Sequence, residues 1–391
     1  DTSLYSYWSQ RLDYSPLFYF TTSPASAMAS MEGWQMVAGV MGIAAVAAGI
    51  YFLLSKTVGE IHVSTERRLK SVALMLPVAA CLFIPIRGSF TVAPVNISKA
   101  YFSDCQRLNH AAVNPAYSFM YSLTQQTNLD SQYNFMDPKE AEAICSRLYK
   151  PGGKTSQSWL AQQRPDIYIV LLESFSKALF PTLGGEPVAM GLDSIAREGL
   201  MFSNIYASGY RTDRAIPAVV SGFPAQPSIS IMKYVDKAAK LPSLPKELAK
   251  MGYRSSYYYG GDADFTNMNA YLRNSGFTTI ISDKDFPVKD RLSKWGVPDN
   301  LTFCRALDDI AADKSAHPRF MVIQTSSSHE PFDVPYANPR FKSNPKLNAF
   351  AFVDSCATAF ANQLHKMGKG ENALVIFVAD HYGVYPDNPE P

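Results

Sequence analysis

Four short apolar runs after residue 164 each end in side chains that can bind a metal or move a proton. Glu173 follows DIYIVLL, the acidic stretch GGDADF follows YYY, His329 lies in SSSHEPF after VIQT, and Asp380 with His381 follows IFVA. Two carboxylates and an imidazole suit a divalent ion of the Mn²⁺ or Zn²⁺ kind. If these runs are strands of one parallel sheet, their carboxyl ends meet in one crevice. The pattern predicts metal-assisted chemistry there.

A threonine, Thr212, stands between two arginines and beside an aspartate in the stretch YRTDRAIPAVVSGFP. We predict that Thr212 begins a short helix that SGFP ends, with a phosphate favoured at the helix N-terminus. A metal-bound hydroxyl loses its proton more easily, as zinc lowers the pKa of bound water from about 15.7 to about 7. Thr212 would then be a nucleophile. Arg211 and Arg214 are candidate phosphate contacts, and each is equally well a solvated or ion-paired side chain.

Each of these residues also has an ordinary structural interpretation. Glu173 at a strand end can cap the next helix or pair with an arginine, and Asp380 with His381 can form a simple turn. His329 can bond its own loop. The hypothesis of one joint site depends on the consistent order of these residues along a single sheet.

The elements that must position these residues follow from the hydrophobic pattern after residue 164. Nearly continuous runs rich in β-branched and aromatic residues predict buried strands at 166–172, 253–259, 319–325 and 372–379. Amphipathic stretches such as Val188 to Leu200 and Leu244 to Met251 lie between the runs. This alternation predicts an α/β fold, a doubly wound mixed sheet with helices on both faces.

Two uncharged runs near the start of the chain predict membrane helices. Residues 35–55 match the thickness of a bilayer at about 1.5 Å per residue. The shorter run 71–86 can span if Lys70 and Arg87 reach the two interfaces. A buried helical hairpin in a soluble domain is the alternative. The connecting loop 56–70 is rich in Lys and Arg, which predicts that it is cytoplasmic and that the large polar segment lies outside the cytoplasm.

Composition shifts along the chain predict four regions. These are an aromatic-rich extracytoplasmic loop at 1–34, two transmembrane helices within 35–87, a helical connector at 88–163 and a catalytic domain at 164–391. The chain starts with Asp1 rather than Met and stops soon after an apolar run, so we expect truncation at both ends. The predicted location is the cell membrane, as a multi-pass protein with a periplasmic or other extracytoplasmic catalytic domain.

Charge and cysteine content limit the remaining possibilities. The 36 basic and 34 acidic residues nearly cancel, which argues against nucleic acid as a partner. The five cysteines show no zinc-binding spacing. Those beyond the predicted membrane helices would face an oxidising compartment, where Cys105 and Cys145 either pair or remain free buried thiols.

The order of these motifs resembles the sulfatase and alkaline phosphatase superfamily. A Glu after the first strand, a Thr in a later turn, a His in an S-x-x-H-x-P-F type of loop and a final Asp-His-Tyr-Gly carry the likeness. Within that superfamily, the stretch from Pro165 to Gly383 is most similar to lipoteichoic acid synthases and related membrane-anchored phosphoglycerol transferases.

The resemblance implies roles for particular residues. Four ligands would hold one divalent metal, usually Mn²⁺, with Zn²⁺ or Mg²⁺ as alternatives: Glu173, Thr212, Asp380 and His381. Thr212 would be the nucleophile, and His329 would contact the substrate phosphate or protonate the leaving group. The expected substrate-binding residues are His329, Arg211, Arg214, Asp262 and Asp264.

The resemblance also implies a reaction. It is the transfer of a phosphoglycerol-type head group from a phospholipid to an acceptor hydroxyl through a covalent phosphothreonine. A phosphoethanolamine transferase or a sulfatase or phosphodiesterase type of hydrolase is the alternative, and a catalytically silent scaffold is a third. Sulfate-ester hydrolysis is disfavoured because Thr212 cannot become formylglycine. The synthases hold glycerol phosphate with a Trp and an Arg where this chain has Thr266 and Met268, which leaves the head group open.

Overall fold

The chain divides into two units in the computed structural model. One unit comprises residues 1–89 with 113–132, and the other comprises residues 90–112 with 133–391. The structure describes residues 5, 11–14, 17, 33–58, 68–90, 93–124, 134–149, 160, 164–226, 229–383 and 385.

Two long apolar helices dominate the first unit. Helix α1 spans Gly33–Val58 and helix α2 spans Arg68–Arg87. They contain stretches of 22 and 18 residues that are long and apolar enough to cross a bilayer, and neither stretch is buried. Helices α1 and α2 therefore do not form the buried hairpin that was the alternative. Most of the loop predicted at 1–34, and residues 59–67 of the predicted cytoplasmic loop, lie outside the described residues.

Short helices occupy the region predicted as a connector. They are α3 at Gln106–Ala112, α4 at Pro115–Thr124 and α5 at Pro138–Leu148. Asp137 caps α5 by accepting the backbone N–H of Lys139 at 2.9 Å. Cys105 and Cys145 are both free and exposed, so neither the disulfide nor the buried thiols that we considered is present. Cys105 directly precedes α3 and Cys145 lies on an exposed face of α5, so both thiols face solvent.

The second unit is built on a five-stranded sheet. The strands are β1 at Asp166–Leu172, β2 at Arg254–Tyr259, β3 at Thr279–Ile281, β4 at Arg319–Gln324 and β5 at Ala373–Ala379. Their order across the sheet is β3-β2-β4-β1-β5, and every strand pairing is parallel. The four predicted strands are confirmed to within one residue at each end. We predicted a mixed sheet, and all strand pairings among the described residues are parallel. The short strand β3 was not predicted.

Helices cover both faces of this sheet, as a doubly wound fold requires. In chain order they are α6 at Met190–Glu198, α7 at Thr212–Ser221, α8 at Val235–Ala238, α9 at Leu244–Lys250, α10 at Met268–Ser275, α11 at Asp299–Ala312 and α12 at Pro345–Lys366. Tyr168 and Val170 of β1 pack into one core with α6, α11 and α12. Ile169 and Leu171 pack into the other with α7 to α10. Alternation along one buried strand thus fills two cores.

Candidate active site

Glu173, Asp380 and His381 form a buried cluster at the carboxyl end of the sheet. One ligand atom from each residue lies within 4.8 Å of the others. His381 Nε2 is 3.6 Å from Glu173 Oε1 and 3.3 Å from Asp380 Oδ2. The three side chains therefore aim at one point, as the ligands of a single cation do.

Strand register explains why these residues meet. Strands β1 and β5 are neighbours, and Leu172 pairs with Ala379 at the last step of their ladder. The next residue of each strand is a carboxylate, so Glu173 and Asp380 leave the sheet side by side. The N–H of Asp380 also donates to Leu172 O at 3.2 Å, which extends the ladder by one bond.

The donor set fits a divalent metal. Asp380 Oδ1 accepts two backbone N–H groups, from Ser174 at 2.8 Å and from His381 at 2.7 Å. Its buried Oδ2 has no hydrogen-bond partner among the described residues. Burial and the neighbouring Glu173 raise the pKa of Asp380 well above its usual value of 3.8. A cation between the two carboxylates would satisfy the free oxygen and relieve their repulsion.

The imidazole of His381 is oriented for the same point. Its Nδ1 lies 2.8 Å from the carbonyl oxygen of Tyr382, so Nδ1 carries the proton and donates it. In the neutral ring, Nε2 then presents its lone pair to the cluster. A backbone carbonyl that fixes the second nitrogen in this way is a common support for a metal-bound histidine.

Thr212 completes the cluster as the first residue of α7. Its Oγ1 donates to Glu173 Oε2 at 3.1 Å and lies 3.3 Å from His381 Nε2. The predicted helix is present and runs from Thr212 to Ser221. Gly222 follows it in a left-handed conformation that ends the helix. Buried Ile216 and Val220 hold α7 on the sheet. The hydroxyl is thus fixed at a helix N-terminus, where backbone N–H groups favour an anion.

Ser174 supports both carboxylates and was missed by sequence reasoning. Its hydroxyl donates to Glu173 Oε1 at 2.7 Å, and its N–H donates to Asp380 Oδ1. Ser174 has φ 62°, a left-handed conformation that is uncommon for residues other than glycine. Strained residues of this kind cluster at functional sites. The sequence signal, a small polar residue after Glu173, was too weak to single it out.

His329 lies in a loop that is tied to the first strand of the site. Ser328 Oγ donates to the carbonyl of Glu173 at 2.7 Å, and the N–H of Glu173 donates to Thr325 Oγ1 at 2.9 Å. His329 itself is half-buried, and its N–H donates to Ser326 O at 3.1 Å. These bonds place the loop at the same end of the sheet as Glu173, Asp380 and His381, the candidate metal cluster.

The two arginines near Thr212 differ in their surroundings. Arg211 is exposed. Arg214 is buried, its Nε donates to Ile229 O at 3.0 Å, and its guanidinium lies 4.5 Å from the centre of the Tyr210 ring. Arg214 Nη1 has no hydrogen-bond partner among the described residues. Arg214 therefore ties α7 to the segment at Ile229, and its contact with a phosphate stays a prediction.

Asp262 and Asp264 do not present free carboxylates to a substrate. Asp264 is buried, and its Oδ2 is bound by Lys99 at 3.1 Å and by Lys284. Asp262 Oδ1 accepts the backbone N–H of Asp264 at 2.9 Å. Asp262 thus holds a turn and Asp264 an ion pair, and the substrate-binding role predicted for both stays a prediction.

An aromatic side chain missed by sequence reasoning lies beside His329. The ring centre of Trp295 is 4.1 Å from that of His329, and Phe265 packs edge-on against Trp295 at 5.8 Å. Residues 295–299 show no periodicity and follow no predicted strand, so only the folded chain reveals this contact.

Comparison with known proteins identifies the family to which the chain belongs. A family model described as Sulfatase matches residues 165–389, more than half of the chain. The chain belongs to the sulfatase family. Its predicted membership of the sulfatase and alkaline phosphatase superfamily, and its α/β fold, are confirmed.

Within this family, the chain is similar to curated proteins named as lipoteichoic acid synthases. The lipoteichoic acid synthase-like protein YvgJ of Bacillus subtilis is 22% identical over 277 residues, 68% of this chain and 45% of that protein. Lipoteichoic acid synthase 2 of the same organism is 24% identical over 240 residues, 57% of this chain and 36% of that protein. The chain spans less than half the length of these relatives. Together with the family match, these relatives indicate that the chain is an enzyme of the sulfatase superfamily.

Solved structures agree on the fold. A protein in the alkaline phosphatase superfamily from Vibrio parahaemolyticus matches with TM-score 0.58 and 26% identity, over 66% of each chain. The lipoteichoic acid synthase LtaP from Listeria monocytogenes matches with TM-score 0.52 and 20% identity, over 58% of each chain. The second likeness establishes fold alone.

Proposed function

We propose that this protein transfers a phosphoglycerol-type head group from a phospholipid to an acceptor hydroxyl, through a phosphodiester on Thr212. One observation carries the proposal: Thr212 Oγ1 lies 3.1 Å from Glu173 Oε2 and 3.3 Å from His381 Nε2. A hydroxyl in that position can be both a metal ligand and a nucleophile. The names of the curated relatives support a synthase of this class.

The metal would be held by Glu173, Asp380, His381 and Thr212. Two carboxylates, an imidazole and a hydroxyl suit Mn²⁺, with Zn²⁺ and Mg²⁺ as alternatives. Such an ion lowers the pKa of the bound hydroxyl and neutralises charge on the phosphate. The protein contributes the orientation: Ser174 and the carbonyl of Tyr382 fix the carboxylates and the imidazole.

The transfer proceeds in two displacement steps. In the first, Thr212 passes its proton to the Glu173 carboxylate, and its Oγ1 bonds to phosphorus. The bond from phosphorus to the diacylglycerol oxygen breaks, and His329 gives that oxygen a proton. In the second, the acceptor hydroxyl gives its proton to His329 and bonds to phosphorus. The bond to Thr212 then breaks, and Thr212 recovers its proton.

A membrane location follows from the proposed donor. A phospholipid head group lies at the bilayer surface, and the chain has two helices that could span a bilayer. We propose that both span, with the loop 56–70 in the cytoplasm and the site outside it. A reporter fused after Arg87 that is active only in the cytoplasm would contradict this orientation.

The first test is peptide mass spectrometry of Thr212. The detergent-solubilised chain is incubated with Mn²⁺ and mixed phospholipids, with Thr212→Ala as the control. We expect a glycerophosphate adduct on the Thr212 peptide and none in the variant. Multiple turnover by Thr212→Ala, with its metal affinity unchanged, would contradict the nucleophile and the proposal with it.

The head group has a second candidate, phosphoethanolamine. The reason is specific to this chain: Met268 stands where the synthases have an Arg and is buried in the core. The mass of the adduct separates the two, because glycerophosphate and phosphoethanolamine add different masses to one peptide. Turnover of soluble phosphodiesters without any lipid would favour a hydrolase instead. Failure to bind any divalent ion would favour a silent scaffold.

A further inference from the structure

Residues 295–299 (Trp295, Gly296, Val297, Pro298 and Asp299) follow β3, end at the first residue of α11 and contact the His329 loop at two places. We call them the 295–299 clamp. One end of the clamp holds the residues around His329, and the other end holds Ser326 and Ser327. These contacts join the clamp to the His329 loop and involve none of the proposed metal ligands.

The Trp295 end fixes the imidazole. Its indole N–H donates to the carbonyl of Glu330 at 2.6 Å, and its ring packs on His329 with centres 4.1 Å apart. His329 Nδ1 lies 3.2 Å from that same carbonyl oxygen. Since a carbonyl only accepts, Nδ1 keeps its proton throughout, so Nε2 is the nitrogen that gives a proton to the leaving group and takes one from the acceptor. Trp295 thus orients the Glu330 carbonyl, which sets the tautomer of His329.

The Asp299 end fixes the start of the same loop. Asp299 is completely buried, and its two carboxylate oxygens accept the N–H groups of Ser326 and Ser327 at 2.9 and 3.0 Å. The N–H of Asp299 donates in turn to Ser327 Oγ at 2.9 Å. The two bonds that the carboxylate accepts are charge-assisted and stronger than neutral ones. They hold the backbone immediately before Ser328, which is bonded to Glu173.

The clamp is itself anchored to the end of β2. The N–H of Val297 donates to Gly260 O at 3.0 Å. Gly296 has φ +105°, and a Cβ at this position would lie 2.0 Å from Gly260 O. Only glycine allows this approach. The clamp therefore connects the carboxyl end of β2 rigidly to the loop that follows β4.

We propose that the 295–299 clamp is the positioning element of His329: it sets the orientation and tautomer of the imidazole that serves the transfer. This rests on the proposed function, in which His329 exchanges protons with the leaving group and the acceptor. Trp295 and Asp299 act through His329 and its loop, so they are positioning residues rather than catalytic ones.

The kinetic test compares three variants with the unchanged chain. Trp295→Leu removes the ring and the N–H, Trp295→Phe keeps a ring only, and Tyr336→Leu removes a half-exposed aromatic that packs on Phe352 instead. We expect kcat to fall about tenfold to a hundredfold in Trp295→Leu and less in Trp295→Phe. KM and Mn²⁺ affinity should stay unchanged in both Trp295 variants. The control Tyr336→Leu should keep the kcat of the unchanged chain. Wild-type kcat in Trp295→Leu would overturn the proposal.

The pH profile separates positioning from general damage to the fold. We first identify the limb of the kcat profile that His329→Asn removes. In Trp295→Leu that limb should move along the pH axis, because the tautomer of His329 is no longer fixed. An equal drop of kcat at every pH, with the limb in place, would show a structural role only and would overturn the proposal.

A fluorescence titration tests the clamp without any activity. Emission from Trp295 is taken as the difference between the unchanged chain and Trp295→Phe. Because a charged imidazole quenches an indole packed against it, this emission should follow pH, and His329→Asn should abolish the response. Asp299→Asn puts an amide N–H against a backbone N–H, so we expect it to weaken the response from the far end of the clamp. An unchanged response in Asp299→Asn would overturn the proposal even if the transferase function failed.

Discussion

The candidate metal cluster of Glu173, Asp380 and His381 and the GGDADF turn both place acidic side chains after strands of the same sheet, yet the surroundings of these carboxylates differ. Glu173 and Asp380 follow β1 and β5, and Asp380 keeps one buried oxygen without a hydrogen-bond partner among the described residues. Asp264 follows β2, and its carboxylate is neutralised by Lys99 and Lys284. An acid after a strand is therefore a site candidate only when no cation of the protein already neutralises it.

Removal of Asp380 should have the largest effect. Asp380→Asn halves the charge that the two carboxylates offer a cation, so we expect Mn²⁺ affinity to fall at least about a hundredfold, with transfer lost. Isothermal titration calorimetry gives the affinity, and the Thr212 adduct gives the activity. The matched control is Asp264→Asn, which should keep its metal affinity within about twofold. Equal losses in the two variants would erase the distinction drawn between the two acidic groups.

The pH dependence of metal binding should be the next largest effect. The pKa of Asp380 is raised by burial and by Glu173, so its proton competes with the metal above the usual value of 3.8. Mn²⁺ affinity should therefore rise with pH, by about tenfold per unit while one proton is displaced. Proton release, measured by calorimetry in buffers of different ionisation enthalpy, checks this. The metal-free chain should lose stability as pH rises through the same window, because the folded state holds that proton longer.

Ser174 allows a finer test of the same cluster. Ser174→Ala and Ser174→Gly both lose the hydroxyl that binds Glu173, so both should weaken Mn²⁺ binding about tenfold. They differ in the backbone: glycine adopts φ 62° freely, whereas alanine does not. Thermal unfolding of the metal-free variants should therefore show Ser174→Gly to be more stable by about 1 kcal/mol. Wild-type metal affinity in both would mean that Ser174 does not orient the ligands.

The sequence was sufficient to predict that Glu173, Asp380 and His381 meet, because strand ends are locally encoded. Continuous apolar runs identified β1 and β5, and parallel pairing then forces the residues that follow them together. The rest depends on contacts that no local pattern reports. Lys99 reaches Asp264 across 165 positions of sequence, and Trp295 meets His329 through two loops. The three-residue β3 is too short for an alternating pattern to appear.

The smallest predicted effect concerns the stability that Asp264 provides. Burial alone would raise its pKa, but Lys284 and Lys99 outweigh burial, so the pKa lies below its usual 3.8. The lysines are partly exposed, which limits the effect of Asp264→Asn to about 1 to 3 kcal/mol of unfolding free energy. A depressed pKa stabilises the fold above 3.8 and stops doing so as pH falls through the folded value. The stability difference between variant and unchanged chain should therefore be full near neutral pH and vanish in acid. A difference that persists in acid would mean that Asp264 acts by packing, so neutralisation by lysines would no longer separate the GGDADF turn from the metal cluster.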